Sequence, residues 1–133
     1  MRDLLRSTLL RRAAFGMYLA WLLVLLLAPV AQSLPSNYYA SFDKVLHLGL
    51  FFVLALLGHL NVPSIMGVTA VAVVMAGGTE ILQGFTAYRS RELWDFVADL
   101  VGTGVGLVVA VSLRRFGWYP VDSSVDPNRG QVE

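Results

Sequence analysis

Four long apolar stretches separated by short polar ones dominate the hydrophobic pattern of the chain. They cover approximately residues 13–31, 45–60, 65–82 and 94–113. A helix of about 20 apolar residues crosses the hydrocarbon core of a bilayer, so each stretch predicts a transmembrane helix. The sequence therefore predicts an all-α membrane protein built as a bundle of four transmembrane helices.

The segments on either side of this predicted bundle (residues 13–115) are more polar. Residues 1–12 have the pattern of a basic amphipathic helix at a lipid surface; a frayed, positively charged tail is the alternative. A signal peptide also begins with arginines, but the first apolar core is too long and no small-x-small cleavage site follows it, which favours a membrane anchor. Residues 116–133 are expected to form a polar C-terminal tail.

The distribution of basic residues predicts the orientation of the bundle. Four crossings place both termini on one side of the membrane, and cytoplasmic segments carry an excess of Lys and Arg. The terminal side holds Arg2, Arg6, Arg11, Arg12, Arg114 and Arg115, whereas the opposite side holds Lys44, Arg89 and Arg91. Both termini are therefore predicted to be cytoplasmic.

Composition agrees with a membrane protein. The 133 residues are 56% hydrophobic and 14% charged, with a mean hydropathy of +0.65, whereas soluble domains are nearer a quarter charged. The arginines form no stripe, so no nucleic-acid binding is predicted. Cysteine is absent, which excludes disulfides and thiolate-bound metals.

With this topology, nearly all ionisable residues outside the tails fall at the outer ends of helices 2, 3 and 4. A charge inside a bilayer is costly and often marks a functional site. Pairs three or four residues apart share one helical face. We therefore predict an outward-facing polar binding site formed by Asp43, Lys44, His47, Glu80, Gln83, Arg89, Asp95 and Asp99.

Two chemical uses of these residues remain open beside simple binding. Glu80 and His47 are candidate catalytic bases. Alternatively, the charges form an ion-paired cluster that fixes helix packing. A divalent cation held by His47, Glu80, Asp95 and Asp99 is chemically possible, but no recognisable ligand spacing such as HExxH supports it, so neither a metal nor a cofactor is predicted.

Small residues predict where helices approach each other. Gly102 and Gly106 form a small-xxx-small pair on the fourth helix, and Gly77 and Gly78 lie in the third. We expect the fourth helix to pack against the third and to bring Asp99 beside Glu80. Homo-oligomerisation through the same glycines is the alternative.

The order of these motifs resembles the VanZ-like family over about residues 41–106. The matching features are Asp43-Lys44-x-x-His47, Glu80-x-x-Gln83, Arg89 with Asp95 six residues later, and Asp95-Phe-Val-Ala-Asp99-Leu-Val-Gly102 followed by Gly106. The chain departs from the family pattern at three places: the family usually has Asn where Asp99 stands, an Asp near Glu92, and a proline where Ala87 stands.

The resemblance implies a four-helix, multi-pass protein of the bacterial inner membrane that is connected with resistance to the glycopeptide antibiotic teicoplanin. The expected partners are membrane lipids and a lipid-linked cell-envelope precursor or a glycopeptide, which the site would bind or help to modify. An intramembrane enzyme acting on a lipid-linked substrate and a structural or assembly subunit are the alternatives. A transporter is disfavoured because the four helices show no inverted repeat.

Overall fold

The computed structural model describes residues 8–28, 36–62, 64–85 and 93–118, and for residues 36–40 it describes the backbone alone. Within these ranges the chain forms the helices α1 (Thr8–Leu27), α2 (Ser36–Asn61), α3 (Ile65–Gln83) and α4 (Leu93–Arg115). All four are long and apolar enough to cross a membrane; in α2 the apolar span is Ser41–Asn61. The prediction of an all-α, multi-pass membrane protein with four spanning helices is confirmed.

The first two helices begin earlier than the hydrophobic pattern predicts. α1 includes Thr8–Arg12, so the helix extends continuously into the last five residues of the predicted N-terminal segment. α1 ends at Leu27 rather than near residue 31. α2 begins at Ser36 instead of about residue 45, because a Ser-Asn pair after a proline suits a helical first turn as well as a loop. The remainder of segment 1–12, the residues between α1 and α2, and most of the C-terminal tail lie outside the described residues.

Side-chain hydrogen bonds cap the helix ends on both sides of the short turn between α2 and α3. Ser64 has an extended backbone, and its hydroxyl oxygen accepts a hydrogen bond of 3.3 Å from the backbone N–H of Gly67. This is the N-cap arrangement that satisfies one of the free N–H groups of a helix start. At the end of α2, the Asn61 side chain donates to the carbonyl of Leu57 at 2.8 Å.

The apolar core lies where α1, α2 and α3 meet. Its buried members come from α1 (Leu22, Leu26), from α2 (Leu50, Phe51, Leu54) and from α3 (Ala72, Ala76). The Tyr18 hydroxyl, half-buried on α1, donates to the carbonyl oxygen of Leu50 at 2.5 Å. α2 thus contributes one face to this core and leaves another face for α4.

α4 packs against α2 by direct approach of the two backbones. A Cβ atom added at Gly102 would overlap the carbonyl group of Leu48, and one added at Gly106 would lie 2.5 Å from the carbonyl oxygen of Phe52. Among the described residues, no neighbouring atom lies within 4 Å of the positions that Cβ atoms would take at Gly77 and Gly78. The expectation that Gly102 and Gly106 bring α4 against α3 is therefore wrong, because these two glycines contact the backbone of α2.

Candidate functional site

The buried face of α2 carries the first two polar residues of the site. Asp43 and His47 lie four residues apart, which places them on one side of the helix. Asp43 is 5% exposed and His47 is fully buried. Both belong to the α2 face that meets α4, so the packing of the two helices removes them from solvent and lipid.

α4 contributes the matching pair from the opposite side of the interface. Asp95 is 2% exposed and Asp99 is fully buried. The buried stripe of α4 continues from these carboxylates through Thr103, whose hydroxyl donates to the backbone carbonyl of Asp99 at 2.8 Å. Gly102 and Gly106 bring the two backbones together. The carboxylates of Asp95 and Asp99, which precede Gly102 on the same face of α4, therefore meet the side chains of α2 across the interface.

The closest contact between the two pairs joins His47 to Asp99. His47 Nδ1 lies 2.8 Å from Asp99 Oδ1, and both side chains are fully buried. An ionised carboxylate only accepts hydrogen bonds, so an ionised Asp99 requires the proton on Nδ1, and a neutral ring then has its lone pair at Nε2. The predicted neighbour of Asp99 was Glu80; the structure pairs it with His47 instead, since α4 packs on α2.

Two polar atoms of this pair have no partner among the described residues. They are His47 Nε2 and Asp99 Oδ2, both buried. In the membrane interior an unsatisfied polar group costs free energy because no water is available to replace the missing hydrogen bond. These two atoms can therefore accept a ligand group or an ion.

Lys44 lies at the exposed edge of the site. Its Nζ lies 3.7 Å from Asp95 Oδ1, and its side chain is 34% exposed whereas that of Asp95 is 3% exposed. The two groups form an ion pair, but their separation is longer than that of a direct hydrogen bond. The long aliphatic stem of a lysine lets the ammonium reach water while the stem lies on apolar surface.

Three of these side chains can converge on one point. A carboxylate oxygen of Asp43, a ring nitrogen of His47 and a carboxylate oxygen of Asp95 all lie within 4.8 Å of one another. The group combines two helices, and each member is buried. Oxygen and imidazole nitrogen donors so arranged suit a metal ion, a cationic group or a cluster of hydroxyls.

Glu80, Gln83 and Arg89 do not join this group in the part of the chain that the structure describes. Gln83 is buried at the end of α3, where its Nε2 donates to the carbonyl of Leu26 in α1 at 2.8 Å. Glu80 is partly buried on α3, and the three converging ligand atoms do not include it. Arg89 lies outside the described residues, as do Arg91 and Glu92.

Sequence reasoning missed Thr103 as part of the polar stripe. Its signal was present, because Asp95, Asp99 and Thr103 follow one another at intervals of four residues. Thr79 is also buried, but its hydroxyl donates to the carbonyls of Met75 and Ala76 within α3, so it takes no part in the site.

Comparison with known proteins gives no function for the chain. It matches no protein-family profile, and no solved structure matches it. It is similar to a protein of Schizosaccharomyces pombe whose description is "uncharacterized", with 30% identity over 94 residues. The match covers 59% of this chain and 58% of the yeast protein, so the chain spans little more than half the length of that relative.

Proposed function

We propose that this protein binds the polar headgroup of a membrane lipid or of a lipid-linked envelope precursor in the site between α2 and α4. The observation that carries the proposal is the fully buried His47–Asp99 pair, whose Nε2 and Oδ2 atoms have no partner among the described residues. A buried polar group at membrane depth is costly, and residues of this kind commonly serve a substrate, an ion or a proton.

The charges of the site indicate how such a headgroup would be held. The carboxylates of Asp43, Asp95 and Asp99 accept hydrogen bonds from sugar hydroxyls or amines, while Lys44 at the exposed side attracts phosphate. Arg89, which the sequence places in the loop before α4, is assigned to the same phosphate. With the termini in the cytoplasm, this headgroup belongs to the outer leaflet of a bacterial inner membrane.

The resemblance to the VanZ-like family supports an envelope role that extends to teicoplanin resistance. The yeast relative favours the more general form of the proposal, because the similarity extends to a eukaryote. Recognition of a lipid headgroup therefore comes first, and resistance is one consequence of it in a suitable host.

The proposal is tested by identifying the lipids that the full-length protein retains. Protein purified in a mild detergent and examined by native mass spectrometry should retain one headgroup class in excess over its share of the membrane. Asp95→Asn and His47→Asn should lose this excess, because each removes a buried polar group of the site. Glu80→Gln, a carboxylate-to-amide change on α3 outside the converging group, is the matched control and should keep it.

Two results would overturn the headgroup proposal. One is a wild-type protein whose lipids match the bulk membrane. The other is retention of the enriched lipid by both site variants while their thermal stability equals that of the wild type. In the second case the polar cluster serves helix packing, which is the structural alternative.

A second candidate, an intramembrane enzyme, is favoured by the orientation of His47. The Asp99 carboxylate at 2.8 Å fixes the ring so that Nε2 is the basic nitrogen, the arrangement of a general base held by a carboxylate. Conversion of a lipid-linked substrate by wild type and its loss in His47→Asn would support the enzyme; conversion that survives in His47→Asn would exclude it.

A further inference from the structure

The geometry points to a divalent metal site formed by Asp43, His47 and Asp95, with Asp99 holding the histidine in position. This inference goes beyond headgroup binding and stands on three observations. The three ligand atoms lie within 4.8 Å of one another, all three side chains are buried, and the buried Nε2 atom of His47 has no partner among the described residues.

The separations fit one ion after small side-chain movements. Zinc and similar ions bind nitrogen and oxygen ligands at about 2.0–2.2 Å, so two ligands of one ion are at most about 4.4 Å apart. Atoms within 4.8 Å of one another reach such positions by rotamer adjustments of about an ångström. The side chains must make this adjustment, because Gly102 and Gly106 bring the backbones of α2 and α4 into direct contact.

The contact between His47 and Asp99 is the strongest argument for a metal over an amine or a hydroxyl cluster. A metal-bound histidine almost always donates its other ring N–H to a carboxylate or a carbonyl, which fixes the tautomer and increases the basicity of the ligating nitrogen. Asp99 occupies that position at Nδ1, 2.8 Å away, and leaves Nε2 for the ion. The aspartate that departs from the family pattern thus has a role beside the metal rather than on it.

The charge of the group also suits a divalent cation. Asp43, Asp95 and Asp99 place three carboxyl groups in a buried volume beside the Lys44 ammonium, which lies 3.7 Å from Asp95. A divalent ion bound there would compensate the carboxylates and present a positive charge to a phosphate. Two carboxylates with one imidazole favour Mn²⁺, Fe²⁺ or Zn²⁺ over the softer ions that prefer thiolates.

The three ligands in the structure differ from the four residues that the sequence analysis considered for a cation site. The set considered from sequence contained Glu80 and Asp99 as ligands. In the structure Asp43 takes the place of Glu80 in the group, and Asp99 contacts His47 Nδ1 instead of acting as a ligand. Glu80→Gln and Asp43→Asn therefore separate the two alternatives. Both are carboxylate-to-amide changes of similar size, on α3 and α2 respectively.

The test measures Mn²⁺ binding to the purified full-length protein in detergent after removal of bound metal with a chelator. Loss of the free Mn²⁺ electron paramagnetic resonance signal should give one ion per chain, and Zn²⁺ should displace it. Asp43→Asn and Asp95→Asn should weaken binding at least tenfold, and Asp99→Asn should weaken it about 10- to 100-fold, as expected for a carboxylate behind a ligand. Glu80→Gln should bind like the wild type.

A variant outside the ligand set keeps the test decisive if an aspartate variant misfolds. Lys44→Gln removes a positive charge beside Asp95, so a metal site predicts tighter Mn²⁺ binding. Absence of stoichiometric binding by the wild type, unchanged affinity in Asp43→Asn and Asp95→Asn, or weaker binding in Lys44→Gln would overturn the inference. Because this measurement contains no added lipid, its failure leaves headgroup retention unaffected, and loss of headgroup retention leaves metal binding unaffected.

Discussion

At the scale of single residues, Asp99 carries the clearest energetic consequence. Asp99→Ala removes the acceptor of the His47 N–H and leaves a buried donor without a partner. We expect the free energy of unfolding to fall by about 1–2 kcal/mol, the range for a lost buried hydrogen bond in a membrane protein. Thermal or sodium dodecyl sulfate titration of the protein in micelles, followed by circular dichroism, measures the change.

A double-mutant cycle separates this contact from the general effect of truncating a buried side chain. If His47 and Asp99 interact as the 2.8 Å separation indicates, the loss in His47→Ala/Asp99→Ala should be smaller than the sum of the two single losses. Strict additivity would contradict the pairing. Thr103→Val is the matched control, since its hydroxyl bonds only to the backbone of Asp99 within α4 and should show little coupling to His47.

At the scale of helices, we expect opposite outcomes for Gly102 and Gly104, which lie on opposite faces of α4, Gly102 buried and Gly104 exposed. Gly102→Ala would drive a Cβ atom into the backbone carbonyl of Leu48, which cannot rotate away, so α2 and α4 must separate. We expect a loss of about 1–3 kcal/mol in the free energy of unfolding, with weaker Mn²⁺ binding, because the ligands come from both helices.

Gly104→Ala is the control for that change. In the described part of the chain no neighbouring atom lies within 4 Å of its added Cβ, so the variant should differ from wild type by less than about 1 kcal/mol. Equal stability of the Gly102 and Gly104 variants, measured in the same micelles, would show that the close approach of α2 and α4 is incorrect.

Gln83 has a structural role between helices that its sequence context does not reveal. It donates to the carbonyl of Leu26, which lies in the last turn of α1. Gln83→Leu should lower the free energy of unfolding by about 1 kcal/mol and increase amide hydrogen exchange at the end of α1. Exchange unchanged in α1, or raised equally in α4, would contradict this role.

The helices could be predicted from sequence, but their pairing could not. The apolar runs fix four spans, and spacings of four residues correctly place Asp43 with His47 and Asp95 with Asp99 on single faces. A glycine pair, however, permits close approach to any neighbouring helix and does not name it. Gly102 and Gly106 meet α2, so Asp99 faces His47, and Glu80 is left on another helix.

At the scale of the whole molecule, the same limit explains the errors in helix ends. Hydropathy marks where apolar residues begin, whereas a helix begins where its backbone can be satisfied. α1 therefore includes the polar residues Thr8, Arg11 and Arg12, and α2 includes Ser36 and Asn37. The membrane boundary and the helix boundary are separate properties, and the apolar pattern reports the first.

Orientation is the prediction that belongs to the molecule as a whole, and the absence of cysteine makes it directly testable. Trp118 follows α4, and Phe85 follows α3; both are exposed. Single variants Trp118→Cys and Phe85→Cys place a thiol at opposite ends of the bundle. With both termini cytoplasmic, a membrane-impermeant maleimide should label the Phe85→Cys variant in intact cells and the Trp118→Cys variant only after permeabilisation. The cysteine-free wild type is the control.

Two labelling patterns would contradict the predicted orientation or topology. Labelling of the Trp118→Cys variant alone in intact cells would show the opposite orientation, with Lys44 and the aspartates towards the cytoplasm. Labelling of both would contradict four crossings, because α4 would then not separate these two positions.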